Sequence, residues 1–308
     1  MKKREYGDVR VMLAMENPII RQGLQNAMQQ HGFGRAYEVL ALDRMISALT
    51  ENQFDVILAS SELGNDTLFP YLAQLRKGSF SHHPIPVILT FLTSVESDYV
   101  RAAIDSGPDD LLQVPIVPSQ LLERLDLLAK SRKNFVVTSD YVGPDRRQGA
   151  PRPGAMVVPT LEVPNPFALR VAKKSEDEID AITAKAGDRL RAMRLARFTF
   201  ELQWLLAAIR SLFDQKSTDK EKLFSFCERI KTLLIGLPRL LPNGMPEGLE
   251  PMIERLNMGS NILIKNGLSA DATIIQGIGK LIAGLVTALR GQLPPDLAET
   301  TMPARAAS

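Results

Sequence analysis

The first 132 residues alternate short apolar runs with segments in which apolar residues recur every three to four positions. The apolar runs predict five strands, over residues 9–14, 37–42, 55–59, 85–91 and 110–114. Each run is followed by a segment with helical spacing, and Ile20, Leu24 and Met28 show it in the first one. Five strand–helix units of this length predict an α/β doubly wound domain over residues 1–132, with a parallel sheet covered by helices on both faces.

The pattern changes between residues 133 and 170. This stretch contains six prolines, Pro144, Pro151, Pro153, Pro159, Pro164 and Pro166, and it lacks a helical period. Proline removes a backbone donor and fixes φ, so a high proline content favours extended, unpaired chain. The sequence therefore predicts a proline-rich linker over 133–170.

Residues 171–291 have helical spacing almost throughout. Four segments carry it, at 175–213, 218–237, 246–267 and 269–291, with a break allowed in the first at Gly187. The first and last carry clear apolar stripes, formed by Phe198, Leu202, Leu205, Ile209 and Leu212, and by Ile274, Ile278, Leu281, Leu285 and Leu289. Amphipathic helices joined by short loops predict an all-α helical bundle, followed by a disordered tail over 292–308.

Charge and cysteine content restrict the function classes. The chain has 37 basic and 35 acidic residues, without the basic excess that drives binding to phosphate backbones, so we do not expect a nucleic-acid partner. The single cysteine, Cys227, excludes an intramolecular disulfide, and we expect a cytoplasmic protein. The apolar segment 269–291 includes Gln276 and Lys280, which favours burial in the bundle over membrane insertion.

Four stretches of the first domain together resemble a response-regulator receiver domain. They are VMLAMENPIIRQGLQNAMQQHGF (11–33), FDVILASSEL (54–63), IPVILTF (85–91) and AAIDSGPDDLLQVPIVPSQLLERL (102–125). The resemblance rests on the order and spacing of elements more than on motifs, and it implies a flavodoxin-like strand order. It does not extend to the helical region, which stays unassigned.

The resemblance also implies a phosphorylation site, and this sequence departs from it. In receivers an aspartate after the third strand accepts the phosphoryl group, two acidic residues after the first strand hold Mg²⁺, and a lysine after the fifth strand pairs with the phosphate. The matching positions here are Ser60, Met15–Glu16 and Val114. The hydroxyl residue expected after the fourth strand falls on Thr90 or on Phe91, depending on one residue of alignment.

These departures predict a degenerate receiver, or pseudo-receiver. A single carboxylate would hold Mg²⁺ weakly, because octahedral Mg²⁺ sites usually use more oxygen ligands. Glu62 and Asp66 are substitute acids, but a shift of two residues turns their side chains away from the pocket. We therefore expect no catalytic residue, no cofactor, no metal and no enzymatic activity.

A receiver-like domain without a phosphate switch has two uses. It can dock a protein partner, as the resemblance implies, or it can scaffold the helical region. The sequence favours a non-enzymatic bacterial signalling adaptor that acts by protein–protein interaction, with the helical bundle forming a homodimer or binding a partner. The alternatives are a phosphorylation-independent transcriptional regulator and a two-component phosphorelay receiver with a displaced acceptor.

Three groups of residues are candidate partner contacts. Arg146 and Arg147 lie in GPDRRQ (143–148), which is either a docking peptide or a turn that packs FVVTSDYV back onto a domain. A second basic group comprises Arg189, Arg191, Arg194 and Arg197; a solvated helix surface is favoured, and Arg194 and Arg197 are the candidates for an acidic contact. Trp204 is a candidate interface anchor if its ring is partly exposed.

Overall fold

The computed structural model describes residues 6–79, 85–147, 160–241 and 244–298. It divides into two units, Met1–Leu190 and Arg191–Ser308. We call these units the first domain and the helical domain. His82 and His83, and the end of the predicted tail from residue 299, lie outside the described residues.

The first domain is built on a parallel sheet. Its strands and one hairpin, numbered in chain order, are β1 (Val11–Ala14), β2 (Tyr37–Val39), β3 (Val56–Ser60), the hairpin β4 (Glu62–Leu63) and β5 (Asp66–Thr67), β6 (Val87–Leu92) and β7 (Asp110–Gln113). The sheet order is β2-β1-β3-β6-β7, with every pair parallel. This is the flavodoxin-like order, in which the strand order reverses between β1 and β3 while all strands stay parallel. The predicted fold class is confirmed.

Five helices cover the two faces of the sheet. They are α1 (Pro18–His31), α2 (Leu42–Glu51), α3 (Phe69–Arg76), α4 (Ser97–Asp105) and α5 (Pro118–Lys130). Leu24 of α1 and Leu125 of α5 are buried on one face, and Met45 of α2 and Leu72 of α3 are buried on the other. Helix α1 begins where the Asn17 side chain accepts hydrogen bonds from two backbone N–H groups. Because the strands are parallel, the carboxyl ends of all five lie at the same edge of the sheet.

The predicted linker differs from the structure. It contains three strands, β8 (Phe135–Val137), β9 (Val142–Pro144) and β10 (Thr160–Leu161), in an antiparallel sheet ordered β10-β8-β9, and a helix, α6 (Pro166–Val171). Strand β9 is an edge strand, where Pro144 costs no ladder hydrogen bond. Buried apolar side chains, including Phe135 and Phe167, outweigh the effect of the prolines. Residues 148–159 lie outside the described residues.

Within the first domain, the small antiparallel sheet packs closely on the turn that follows α4. Gly107 has φ +82°, and a Cβ atom there would approach the carbonyl oxygen of Val142 to 2.6 Å. A Cβ atom on Gly143 would come within 2.8 Å of the Gly107 Cα. Only glycine allows two backbones to meet at this separation, so the segment around GPDRR is part of the domain.

The helical domain has one apolar core. Its elements are α7 (Glu176–Asp214), of which residues from Arg191 onward belong to this domain, α8 (Lys220–Gly236), α9 (Leu249–Asn266), α10 (Ala272–Arg290) and α11 (Pro295–Ala298). The predicted stripe from Phe198 to Leu212 is buried, and so are Ile278, Leu285 and Leu289 of the second stripe. Ile274 and Leu281 are partly buried against the same core.

The structure decides one point that the sequence left open in this region and differs from one prediction. Helix α7 is continuous through Gly187, because a glycine inside a helix costs only about 1 kcal/mol and need not break it. The predicted disordered tail includes α11, and Leu293 and Leu297 pack on the core. Apolar side chains in the tail therefore order at least its first residues.

One described helix, α10, is long and apolar enough to cross a membrane by length and composition alone. The same helix supplies Ile278, Ile282 and Leu285 to the core of the helical domain. A core helix of this kind passes the same length and composition test.

Candidate functional site

The candidate site lies where the parallel strands end. The register pairs Ala14 with Ala59 and Ala59 with Thr90. The next residues, Met15 and Ser60, therefore stand at the edge, and the strand partner of Ser60 is Phe91. Ligands of open α/β sheets bind at this carboxyl edge, beside the point where the strand order reverses. The register thus brings the positions of Met15, Ser60 and Phe91 to one edge of the sheet.

The loop after β1 offers one carboxylate. Met15 is buried, and Glu16 is exposed with its Oε2 accepting a hydrogen bond from the backbone N–H of Gly64 at 3.2 Å. Arg21 Nη1 donates to the carbonyl oxygens of Met15 and Glu16, at 2.9 and 2.8 Å, while its Nε donates to Glu38 at 2.8 Å. The carbonyl oxygens of Met15 and Glu16 therefore accept hydrogen bonds from the Arg21 guanidinium.

The position after β3 that the resemblance matches to the acceptor holds a hydroxyl group in place of a carboxylate. Ser60 is half-buried, and its Oγ lies 3.4 Å from the Glu62 backbone N–H. Glu62 and Asp66 are exposed on the β4–β5 hairpin, where Glu62 pairs with Thr67 and Leu63 pairs with Asp66. The hairpin redirects the chain immediately after β3, so neither acid takes the place of Ser60 at the strand end.

The remaining positions of the predicted site are apolar or enclosed. Thr90 is fully buried, and its Oγ1 has no hydrogen-bond partner among the described residues. Phe91 is fully buried as well. Val114 is half-buried against the core and offers a phosphate no hydrogen bond. Neither Thr90 nor Phe91 therefore presents a hydroxyl group at the surface.

A hydroxyl network that the sequence analysis missed occupies the middle of the edge. The Tyr99 hydroxyl lies 2.8 Å from Ser61 Oγ, 2.9 Å from Thr93 Oγ1 and 3.1 Å from Glu62 Oε1. Ser61 Oγ also accepts from the Thr93 N–H at 3.2 Å. These polar groups satisfy one another, so the network fixes the loops after β3 and β6. Among the described residues, no group of three or more His, Cys, Asp or Glu side chains could hold a metal ion.

The two arginines of the GPDRRQ segment are used within the first domain. Arg146 Nη2 donates to the carbonyl oxygen of Pro108 at 2.7 Å. Arg147 forms an ion pair with Asp145 at 2.7 Å, and its hydrogen bond lowers the pKa of Asp145 to about 2. The Arg146 guanidinium therefore helps to secure the turn. The segment packs back on the domain at this turn.

The basic group of α7 is more buried than the sequence suggests. Burial, together with the charges of Arg191 and Arg239, lowers the pKa of Arg194 to about 10. Burial also lowers the pKa of Arg197. Arg194 and Arg197 are half-buried, whereas the sequence favoured a solvated helix surface for this group. Trp204 is 36% exposed and meets the Phe226 ring edge-on at 5.7 Å.

No family model and no curated protein matches the chain. A solved response regulator of Burkholderia pseudomallei, with a phosphorylated aspartic acid, is 19% identical over 37% of this chain and 65% of its own, with a TM-score of 0.33. The response regulator DrrB of Thermotoga maritima is 16% identical over 41% of this chain and 55% of its own, with a TM-score of 0.35. An orphan response regulator of H. pylori is 18% identical over 39% of this chain and 96% of its own, with a TM-score of 0.34.

The chain spans less than two thirds of the length of the first two of these proteins. At such identities the similarity concerns the fold alone. The receiver-like fold of the first domain rests on its own sheet order and register.

Proposed function

We propose that this protein is a non-enzymatic signalling adaptor whose first domain is a receiver-like module that acts without phosphorylation. The observation that carries the proposal is the carboxyl edge of the sheet. Ser60 stands at the acceptor position, Glu16 is the one carboxylate of the loop after β1, and Val114 follows β7. An aspartyl phosphate needs a carboxylate nucleophile and acidic ligands for a charge-neutralising cation. Ser60 is not a carboxylate, and Glu16 is a single acidic ligand where a pair is expected.

In this proposal, the protein works by surface recognition. The helical domain forms a homodimer or binds a second protein, with Trp204 as an anchor because an exposed indole buries a large area at low conformational cost. The proposed adaptor needs no cofactor and no metal, and it acts in the cytoplasm. Its affinity would come from apolar contacts and its orientation from charge.

Small-molecule phosphodonors should not phosphorylate the protein. We expect no mass increase after incubation of the full chain with Mg²⁺ and acetyl phosphate, and no Mg²⁺-dependent effect of beryllofluoride on its NMR spectrum. A phosphorylatable receiver domain treated in parallel is the positive control. A phosphorylated peptide that contains Glu62 or Asp66 would instead establish the relay receiver with a displaced acceptor.

A defined protein partner should be recovered by cross-linking in the native cell. We expect a nuclease-insensitive complex that re-forms from the two purified proteins, and loss of that complex when Trp204 is replaced by alanine if the helical domain carries the contact. The matched control is Phe224→Ala, which removes an exposed aromatic ring of α8. Recovery of specific DNA, lost on nuclease treatment, would refute the adaptor and establish a transcriptional regulator.

A further inference from the structure

The carboxyl edge of the sheet presents apolar side chains to the solvent. It consists of the loops and first helical turns that follow the five parallel strands, residues 15–19, 40–44, 60–68, 93–98 and 114–119. Neighbouring strands lie about 4.8 Å apart, so five of them span roughly 19 Å. Because all strands are parallel, these five segments form one continuous surface.

Four large aliphatic residues of this edge are exposed. Ile19 follows β1 and is 82% exposed; Leu40 follows β2 and is 50% exposed. Val95 follows β6 and is 61% exposed, and Val117 follows β7 and is 46% exposed. One exposed aliphatic residue is ordinary on a protein surface, but a set at one edge marks an interaction site. The four residues follow β2 and β1 on one side of the central strand β3, and β6 and β7 on the other.

The charges around these aliphatic residues are mostly negative. The edge carries one basic residue outside the Arg21–Glu38 pair, Arg44, and six exposed acids, Glu16, Asp43, Glu62, Asp66, Glu96 and Asp98. Two of the acids are held in place, Glu16 by the backbone N–H of Gly64 and Glu62 by the Tyr99 hydroxyl. Each of these carboxylates has further acceptor sites that face the solvent.

We propose that the carboxyl edge binds a basic amphipathic helix of a partner protein. A helix of 14 residues is about 21 Å long, which matches the width of the edge. Its apolar residues, spaced by three and four, would contact Ile19, Val95 and Val117, and its lysines and arginines would meet the acidic rim. The surrounding carboxylates repel phosphates and nucleic acids, so the charge selects a cationic protein segment. This inference rests on the proposed adaptor function and specifies its partner.

A model peptide tests the surface. The probe is a fluorescent 14-residue peptide of leucine and lysine with helical spacing, titrated with the full chain; the matched peptide has glutamate in place of lysine. We expect the lysine peptide to bind at least about tenfold more tightly, and we expect this preference to weaken between about 0.05 M and 0.5 M salt. Equal binding of the two peptides would overturn the proposal.

Two variants locate the binding. Ile19→Asp combined with Val95→Asp should weaken binding of the lysine peptide at least about tenfold. These substitutions add negative charge, so adsorption by charge alone would become stronger. The control is Leu127→Asp, at a position 55% exposed near the end of α5 and away from the edge, and it should leave the affinity unchanged. Parental affinity in the double variant would overturn the proposal.

The outcome separates this inference from the adaptor function. If the edge variants bind the peptide normally while the cross-linked protein partner is still recovered, the adaptor stands and the edge is not its docking surface. If no protein partner is recovered from the cell, the adaptor function fails irrespective of the peptide result.

Discussion

Replacing Asp109 with asparagine is expected to lower the free energy of unfolding of the first domain by about 3–5 kcal/mol. The Asp109 carboxylate binds two buried guanidiniums, Arg76 Nη2 at 2.7 Å and Arg132 Nε at 2.7 Å. Both guanidiniums also lie over the ring of Phe135, at 5.1 and 4.7 Å from its centroid. Asparagine has the same shape but no charge, so it would leave two buried positive charges without a counter-ion.

The pKa values of this cluster give the pH dependence. Burial alone would raise the pKa of Asp109, but the charges of Arg132 and Arg76 outweigh burial and hold it below its usual value. Burial lowers the pKa of Arg76 to about 10, so Arg76 stays charged at neutral pH. A carboxyl group with a depressed folded pKa stabilises the fold above its unfolded pKa, about 4, and this stabilisation is lost as the pH falls further.

Calorimetry at several pH values measures this effect. The first-domain transition of Asp109→Asn should lie at a lower temperature than that of the parent at pH 7, and the difference should shrink on acidification below about pH 4. The fluorescence of Trp204, the one tryptophan of the chain, follows the helical domain as an internal reference. The control is Asp110→Asn, because Asp110 meets the half-exposed Arg124 at 3.5 Å. Equal transitions for the two variants would contradict the assigned role of the cluster.

Replacing Arg170 with methionine is expected to destabilise the first domain by about 3 kcal/mol at pH 7. Arg170 lies on α6 and donates from Nε and Nη2 to the buried Asp55 carboxylate, at 3.0 and 3.3 Å. Asp55 also accepts from the Arg10 backbone N–H at 2.8 Å. Methionine preserves much of the apolar stem but leaves the carboxylate with this single donor among the described residues. The ion pair therefore holds α6 against the amino edge of the sheet.

In this variant the contribution of the Asp55 carboxyl group to stability changes with pH in the opposite direction to the contribution of Asp109. Burial raises the pKa of Asp55, and the hydrogen bond from Arg170 opposes the rise. Without Arg170 the pKa would rise further. An acid with a raised folded pKa binds its proton more tightly in the folded state, so the stability falls as the pH rises from about 4 through the folded pKa. Arg170→Met should therefore be least destabilised near pH 4.

Chemical unfolding at pH 4.5 and pH 7 measures this difference, as midpoints in urea at about 25 °C. Arg170→Met combined with Asp55→Asn should recover part of the stability at pH 7, because the unpaired charge is removed. The control is Lys173→Met, whose partner Asp8 is largely exposed, and it should shift neither midpoint. If Arg170→Met lowered the urea midpoint equally at both pH values, Asp55 would not titrate in the variant and the assigned role of the ion pair would be contradicted.

The strands and the helix faces could be predicted because the sequence pattern encodes them locally, whereas the strand order was implied by the resemblance to receiver domains. Leu24, Met28 and Leu125 are apolar at helical spacing, and they are buried where the spacing places them. The strand ends that contain Ser60 and Val114 could be located from the apolar runs before them. The network of Ser61, Thr93 and Tyr99 could not, because its members come from three segments that meet only in the folded sheet.

The sequence by itself determined the alternation of strands and helices in the first half and the amphipathic helices of the second half, because both follow from residue type and local period. That Ser60 stands at an acceptor position is what the resemblance to receiver domains implies. The tertiary structure alone decided that the described part of the proline-rich segment packs as part of the first domain. Phe135 becomes core only when Arg76 and Arg132 lie over its ring, and Arg146 is committed only because the Pro108 carbonyl is within reach. It also decided the character of the carboxyl edge, since Ile19, Leu40, Val95 and Val117 are distant in sequence and become one surface only when parallel strands align their ends.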